Sequence, residues 1–90
     1  MPSAWPPILV LGRDSCSDTT MSRGHLDARG IPYDYRRVDE DVVADAWILR
    51  INDGMCSTPT ILIGDPDRPS RILVEPSNEE LDEAIAAAAG

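Results

Sequence analysis

The chain has 90 residues, of which 42% are apolar, and its 16 acidic and 8 basic residues give a net charge of −8. This apolar content is too high for a disordered chain, and the length limits the protein to one small domain. The acidic balance argues against nucleic acid as a partner, because binding to phosphates depends on a basic patch. No apolar run approaches the roughly 20 residues of a membrane span, so we predict no membrane partner.

The first seven residues contain three prolines and no basic residue. We interpret residues 1–7 as a flexible lead-in and not as a signal peptide, followed by a single domain over residues 8–90. The expected location is therefore the cytoplasm. In that compartment two cysteines are expected to remain thiols and not to form a structural disulfide.

The first part of the chain predicts a strand followed by a helix. The apolar run Ile8–Leu11, ended by Gly12, is typical of a strand buried on both faces. A helix is expected over about 17–29. The residues that we assign to its packed face, by helical spacing, are Met21, His25 and Ala28.

A second strand–helix unit follows. The strand is expected over 33–38. The helix begins at the acidic residues 39–41, where the helix dipole favours negative charge, and runs to about 52. Its broad apolar face is predicted to contain Val43, Ala46, Trp47, Leu49 and Ile51.

The second half of the chain predicts a hairpin and a last helix. The β-branched run Thr60–Ile63 and the run Arg71–Val74 flank a clear turn over 64–69. Ser77–Glu80 has the pattern of a capping box and opens a helix that runs to about Ala89. The order β-α-β-α-β-β-α predicts an α/β fold with a mixed four-stranded sheet and helices on both faces. The first two strands are expected to be parallel and the last two antiparallel.

Cys16 lies just past the first strand, where the chain turns into a helix. The free N–H groups and the positive dipole end of a helix stabilise a thiolate there and lower its pKa. A thiolate is the form that attacks a disulfide. The alternative is a buried, inert cysteine, which the polar flanking residues argue against. Those residues are Asp14, Ser15, Ser17 and Asp18.

The charges near Cys16 act in both directions. Arg13 and Arg23 favour the thiolate, whereas Asp14 and Asp18 oppose it by like-charge repulsion. We therefore predict a thiol that is acidified, but by less than in strongly activated oxidoreductases.

Three segments together resemble the glutaredoxin family. They are the Cys-Ser-Asp-Thr motif Cys16–Thr19, the segment Gly30–Asp34 before the second strand, and Ser57–Thr60 before the third. Ile51–Gly54 and Glu75–Ser77 are most similar to the mycoredoxin branch. The resemblance covers about residues 8–88 and implies a thioredoxin-like fold.

The resemblance also implies a function and a set of binding residues. The function is thiol–disulfide exchange with a low-molecular-weight thiol, mycothiol or glutathione, as co-substrate and no tightly bound cofactor. Mixed-disulfide proteins are the implied partners, and a monomer is expected. Because Thr19 replaces the usual second cysteine, Cys16 is the single catalytic residue. The residues implied to bind the small thiol are Arg13, Thr19, Arg23, Thr58, a cis Pro59, Ser77 and Asn78.

Several alternatives remain open from the sequence. Cys56 is either a resolving cysteine for Cys16 or an incidental thiol. The missing second cysteine and the flanking aspartates also permit a redox-inactive thioredoxin-fold binding or regulatory module. An iron–sulfur carrier is a third option, although the Gly-Phe-Ser that follows the cysteine in such proteins is not matched by Ser17–Thr19. No metal site is expected. His25 is interpreted as a packing or surface residue, since it lies too far along the helix from Cys16 to act as its base.

Overall fold

The computed structural model describes residues 5–89, and these residues form the seven elements in the predicted order. The strands are β1 (Ile8–Gly12), β2 (Asp34–Arg37), β3 (Thr60–Ile63) and β4 (Arg71–Val74). The helices are α1 (Ser17–Ala28), α2 (Val42–Ile51) and α3 (Asn78–Ala89). Residues 1–4 of the predicted lead-in lie outside the described residues, and Trp5 packs partly buried against the core.

The strand order in the sheet is β2-β1-β3-β4. β1 is parallel to β2, with Leu9 opposite Asp34, and antiparallel to β3, with Leu9 opposite Leu62. β3 and β4 form the antiparallel hairpin. The mixed four-stranded sheet predicted from the sequence is therefore confirmed.

The central strand β1 is buried along its whole length because helices cover both faces of the sheet. Ile8 and Val10 enter the core layer that contains residues of α1 and α3, whereas Leu9 and Leu11 enter the layer beneath α2. A strand covered on both sides needs apolar residues at every position, which explains the unbroken run in the sequence.

Polar contacts to Asp82 join the end of α1 to α3 on the surface of their shared layer. His25 Nε2 lies 2.8 Å from Asp82 Oδ1, and Arg29 Nε lies 3.6 Å from the same oxygen. His25 therefore links two helices, which agrees with its interpretation as a packing residue.

The predicted packed face of α1 is wrong at Met21 and Ala28, which are exposed, whereas His25 is half-buried. Met21 is 45% exposed, and the buried residues of the helix are Thr19, Ser22 and Leu26. Two of these three are small polar residues, so a search for apolar side chains at helical spacing selects the wrong side of the helix. Small side chains suit this face because the first turn of α1 lies directly against the end of β1.

The predicted face of α2 is correct only in part. Trp47, Leu49 and Ile51 pack partly buried against the core, but Val43 is 66% exposed and Ala46 is exposed as well. Two residues outside the predicted face, Ala44 and Ile48, supply the fully buried positions of the helix. Its start is explained by a cap, because the Asp41 carboxylate accepts hydrogen bonds from the backbone N–H groups of two first-turn residues.

Candidate thiol site

Cys16 is the N-cap residue of α1. Its backbone N–H donates to the carbonyl of Arg13 at 3.1 Å, which closes the turn that connects β1 to the helix. Its own carbonyl accepts from Thr20 N at 3.1 Å, the first bond of the helical ladder. The thiol is partly exposed and lies at the positive end of the helix dipole.

The loop that precedes β3 contacts the thiol from the other side. Cys16 Sγ donates to the Thr58 carbonyl at 3.4 Å, and the Thr58–Pro59 peptide bond is cis. Thr58 is almost fully buried. The Pro59 carbonyl accepts from Glu75 N at 2.8 Å, so the chain that leaves β4 supports this loop. The structure thus brings Thr58 and Pro59 next to Cys16, as the resemblance implied.

Neutral groups set the pKa of the Cys16 thiol. Partial burial is the largest single effect and raises the pKa, but hydrogen bonding from several donors outweighs it and lowers the pKa below its ordinary value. The donors are the hydroxyls of Thr19 and Thr58 and the backbone N–H groups of Thr19 and Asp18. Thr19 Oγ1 is buried and makes no directed hydrogen bond with residues 5–89, so its hydroxyl is available to the thiolate.

Asp14 is compensated by three partners. It accepts a hydrogen bond from Tyr35 Oη at 2.8 Å, and the guanidinium groups of Arg23 and Arg37 lie 3.6 and 3.4 Å from its oxygens. This arrangement weakens the repulsion that we expected Asp14 to exert on the thiolate. Asp14 instead attaches the loop before Cys16 to β2 and α1.

Arg23 and Arg13 differ in how they are engaged. Arg23 Nε donates to Tyr33 Oη at 3.3 Å, and its guanidinium lies 3.8 Å from the centroid of the Tyr35 ring. The Arg23 guanidinium therefore already interacts with protein groups on β2 and in the segment before it. Arg13 Nε is buried and makes no hydrogen bond with the described residues.

The surroundings of Tyr35 raise the pKa of its phenol. Burial is the main cause, and the hydrogen bond to the Asp14 carboxylate and its negative charge add to it. Together they raise the pKa of Tyr35 to about 12. The phenol is therefore protonated, and it donates to Asp14, throughout the physiological range.

The start of α3 is capped by side chains of the same segment. Ser77 N donates to Glu80 Oε1 at 3.0 Å and Glu80 N donates to Ser77 Oγ at 3.1 Å, which confirms the predicted capping box. Asn78 Oδ1 is buried without a hydrogen-bond partner among residues 5–89. The first turn also carries Glu79. The helix end implied to bind a carboxylate therefore already holds two carboxylates.

Cys56 is exposed on the loop between α2 and β3, two residues before Thr58, and both cysteines are free thiols. Neutral hydrogen bonds hold the end of this loop: Thr60 Oγ1 donates to the Ser57 carbonyl at 2.7 Å and accepts from Asn52 Nδ2 at 2.9 Å. A resolving role for Cys56 stays a prediction.

The contribution of Gly12 to the site was not predicted from the sequence. It is the last residue of β1, and Thr19 packs directly over it. A glycine at the end of an apolar strand is a known sign of close backbone approach, so a signal was present. The role of Tyr35 had no local signal, because its partner Asp14 lies on a distant segment of the chain.

The described residues contain neither a metal cluster nor a membrane-spanning helix. No group of three or more His, Cys, Asp or Glu side chains within residues 5–89 has the arrangement of a metal site. None of the helices over these residues is both long and apolar enough to cross a membrane.

Solved structures with a similar fold include a thioredoxin-like protein and a glutaredoxin. The thioredoxin-like protein BC3987 matches with a TM-score of 0.72 and 23% identity, over 87% of this chain and 99% of that one. The glutaredoxin (grx-1) from Archaeoglobus fulgidus matches with a TM-score of 0.68 and 18% identity, over 88% and 85% of the two chains. No family model and no curated protein matches the sequence. The likeness shows that the chain has a thioredoxin-like fold.

Proposed function

We propose that the protein is a monothiol thiol–disulfide oxidoreductase that acts through Cys16. The observation that carries the proposal is the position of this thiol: partly exposed at the N-cap of α1, with its sulfur 3.4 Å from the Thr58 carbonyl of the cis-proline loop. The lowered pKa of Cys16 supports it, because the thiolate is the attacking species.

The proposed reaction has two exchange steps. The Cys16 thiolate attacks the small-thiol sulfur of a mixed disulfide, forms a new S–S bond with it, and releases the protein partner as a thiolate. A second small thiol, as its thiolate, then attacks the small-thiol sulfur of this adduct. That step releases the symmetric small-molecule disulfide and regenerates the Cys16 thiolate, so electrons balance without a second protein cysteine.

Mycothiol or glutathione is the proposed co-substrate, in a monomeric protein of the cytoplasm. Thr58 and Pro59 would bind the backbone of the small thiol beside Cys16, and Arg13, with its unpartnered Nε among the described residues, would meet a polar group of it. Two further residues are weaker contributors in this proposal, since Arg23 and Ser77 already bond within the protein. Asn78, next to Ser77 at the same helix start, is also a weaker contributor, because the nearby carboxylates of Glu79 and Glu80 repel an anionic group of the small thiol.

Mass spectrometry after exposure to oxidised mycothiol, and separately to oxidised glutathione, tests the proposal. We expect one adduct on Cys16, removed by the corresponding free thiol. Cys16→Ser should lose this adduct, whereas Cys56→Ser should keep it. The disulfide that reacts faster identifies the co-substrate.

A different outcome would favour a different function. If Cys16 forms no adduct, or reacts no faster than the exposed Cys56, the exchange proposal is wrong and a binding or regulatory module is the better explanation. A disulfide between Cys16 and Cys56 after oxidation, absent in either serine variant, would instead assign Cys56 the resolving role.

A further inference from the structure

The end of β1 has no room for a side chain at Gly12. A methyl group on this residue would lie 2.6 Å from Thr19 Cγ2 and 2.7 Å from Thr19 Oγ1. Such distances are well inside van der Waals contact, so either the helix or the Thr19 side chain would have to move. Gly12 is itself held in place, because its carbonyl accepts from Val38 N at 3.0 Å.

Thr19 lies between Gly12 and the thiol. It is fully buried in the first turn of α1, three residues after Cys16. As the third residue after the N-cap, it occupies the position from which a first-turn side chain can reach back to the cap residue, here Cys16. Its hydroxyl makes no directed hydrogen bond within residues 5–89, and hydrogen bonding from it lowers the pKa of Cys16. A buried hydroxyl without a partner is costly, and ionisation of Cys16 supplies the acceptor that it lacks.

We propose that Gly12 is a positioning residue for Cys16: its missing side chain lets Thr19 pack against the end of β1, and this contact holds the Thr19 hydroxyl at the sulfur. The proposal deepens the proposed function and rests on it for its catalytic meaning. The steric relation between Gly12 and Thr19 can be tested without turnover.

The first test is Gly12→Ala, measured by the pH dependence of Cys16 alkylation in a Cys56→Ser background. We expect the midpoint to move to higher pH and alkylation below the midpoint to slow by roughly three-fold or more, because less thiolate is present. Thr19→Val, which keeps the shape and removes the hydroxyl, should move the midpoint in the same direction. The charged neighbours of Cys16 are unchanged in each variant; they are Arg13, Asp14 and Asp18.

Gly24→Ala is the matched control. Gly24 lies in α1, and a methyl group there would meet no atom within 4 Å. This variant should leave the alkylation midpoint unchanged. The double variant Gly12→Ala/Thr19→Ala should have the midpoint of Thr19→Ala alone, because the hydroxyl that Gly12 positions and the two atoms closest to the new methyl group are both absent.

A folded Gly12→Ala with the parental midpoint would overturn the proposal. If Gly12→Ala does not fold, Gly12→Ala/Thr19→Ala removes the two closest atoms and leaves Thr19 Cβ at 3.2 Å, which requires a shift of only a few tenths of an ångström. Recovery of the fold in this variant supports the steric relation, and failure to recover it contradicts the relation. Failure of the proposed function would look different, since Cys16 would then form no reversible adduct with either small thiol whatever its alkylation midpoint.

Discussion

Two loops meet at the Cys16 sulfur, and different forces hold them. The motif loop, residues 13–16, is attached through the exposed carboxylate of Asp14 to Arg23, Arg37 and Tyr35. The cis-proline loop, residues 57–59, is attached by neutral hydrogen bonds to Thr60 Oγ1 and to the backbone that leaves β4. Charge and exposure therefore characterise one loop, and burial and neutrality the other.

Because of this difference, we expect one part of the site to respond to salt and pH and the other to remain unchanged. Ion pairs at a surface weaken with salt and depend on pH, whereas buried neutral hydrogen bonds change little with either. We expect solution conditions to alter the motif loop, which holds the thiol, and to leave the cis-proline loop as a constant surface for the partner. Three experiments test this difference between the two loops.

Thr60→Val should have the largest effect. Thr60 is fully buried, and its hydroxyl bonds to both Ser57 and Asn52. Removing it leaves a donor and an acceptor unpaired, so we expect the free energy of unfolding to fall by about 2 kcal/mol, equally at low and high salt. Urea unfolding measures this loss. Thr20→Val, which removes an exposed hydroxyl, should cost less, about 0.5 kcal/mol.

Asp14→Asn should have a smaller effect that depends on salt. It removes the charge that pairs with Arg23 and Arg37 but keeps the side-chain shape. Because Asp14 is half exposed, we expect a loss of about 1 kcal/mol at low salt, falling towards zero at high salt. Asp39→Asn, whose carboxylate lies 4.0 Å from Arg37, is the control and should cost less. A salt-independent loss at Asp14 would contradict the comparison.

Raising the pH should produce the smallest change in the free energy of unfolding. Because folding raises the pKa of Tyr35 from 10.0 to about 12, its contribution is fully present below pH 10 and is lost as the pH rises towards 12. The folded state binds the proton more tightly there, so stability falls with rising pH. After allowance for solvent screening we expect a loss below about 1 kcal/mol. Tyr35→Phe should remove this pH dependence, and Tyr33→Phe should keep it.

The order of the elements was predictable because each strand and turn has a strong local signal. The apolar run of β1, the β-branched run of β3 and the capping box at Ser77 depend only on neighbouring residues. The position of Cys16 at a helix start was predictable for the same reason.

The electrostatics of the site were less predictable, because the residues that pair with the charged groups near Cys16 come from distant segments of the chain. A charge count near Cys16 treats Asp14 as a source of repulsion, but Tyr35 and Arg37 on β2 compensate it. The buried face of α1 was also misjudged. Burial of the polar Thr19 depends on the absence of a side chain at Gly12, which hydrophobic periodicity does not describe.

The central position of β1 has a consequence for protein synthesis. β1 leaves the ribosome before its two partner strands, which begin only at residues 34 and 60. Its apolar run therefore stays uncovered, and Thr58 is not yet beside Cys16, until most of the chain has emerged. We expect the nascent chain to carry a cysteine with a higher pKa than that of the folded protein, because Thr58 joins the donors of α1 only when β3 completes the sheet.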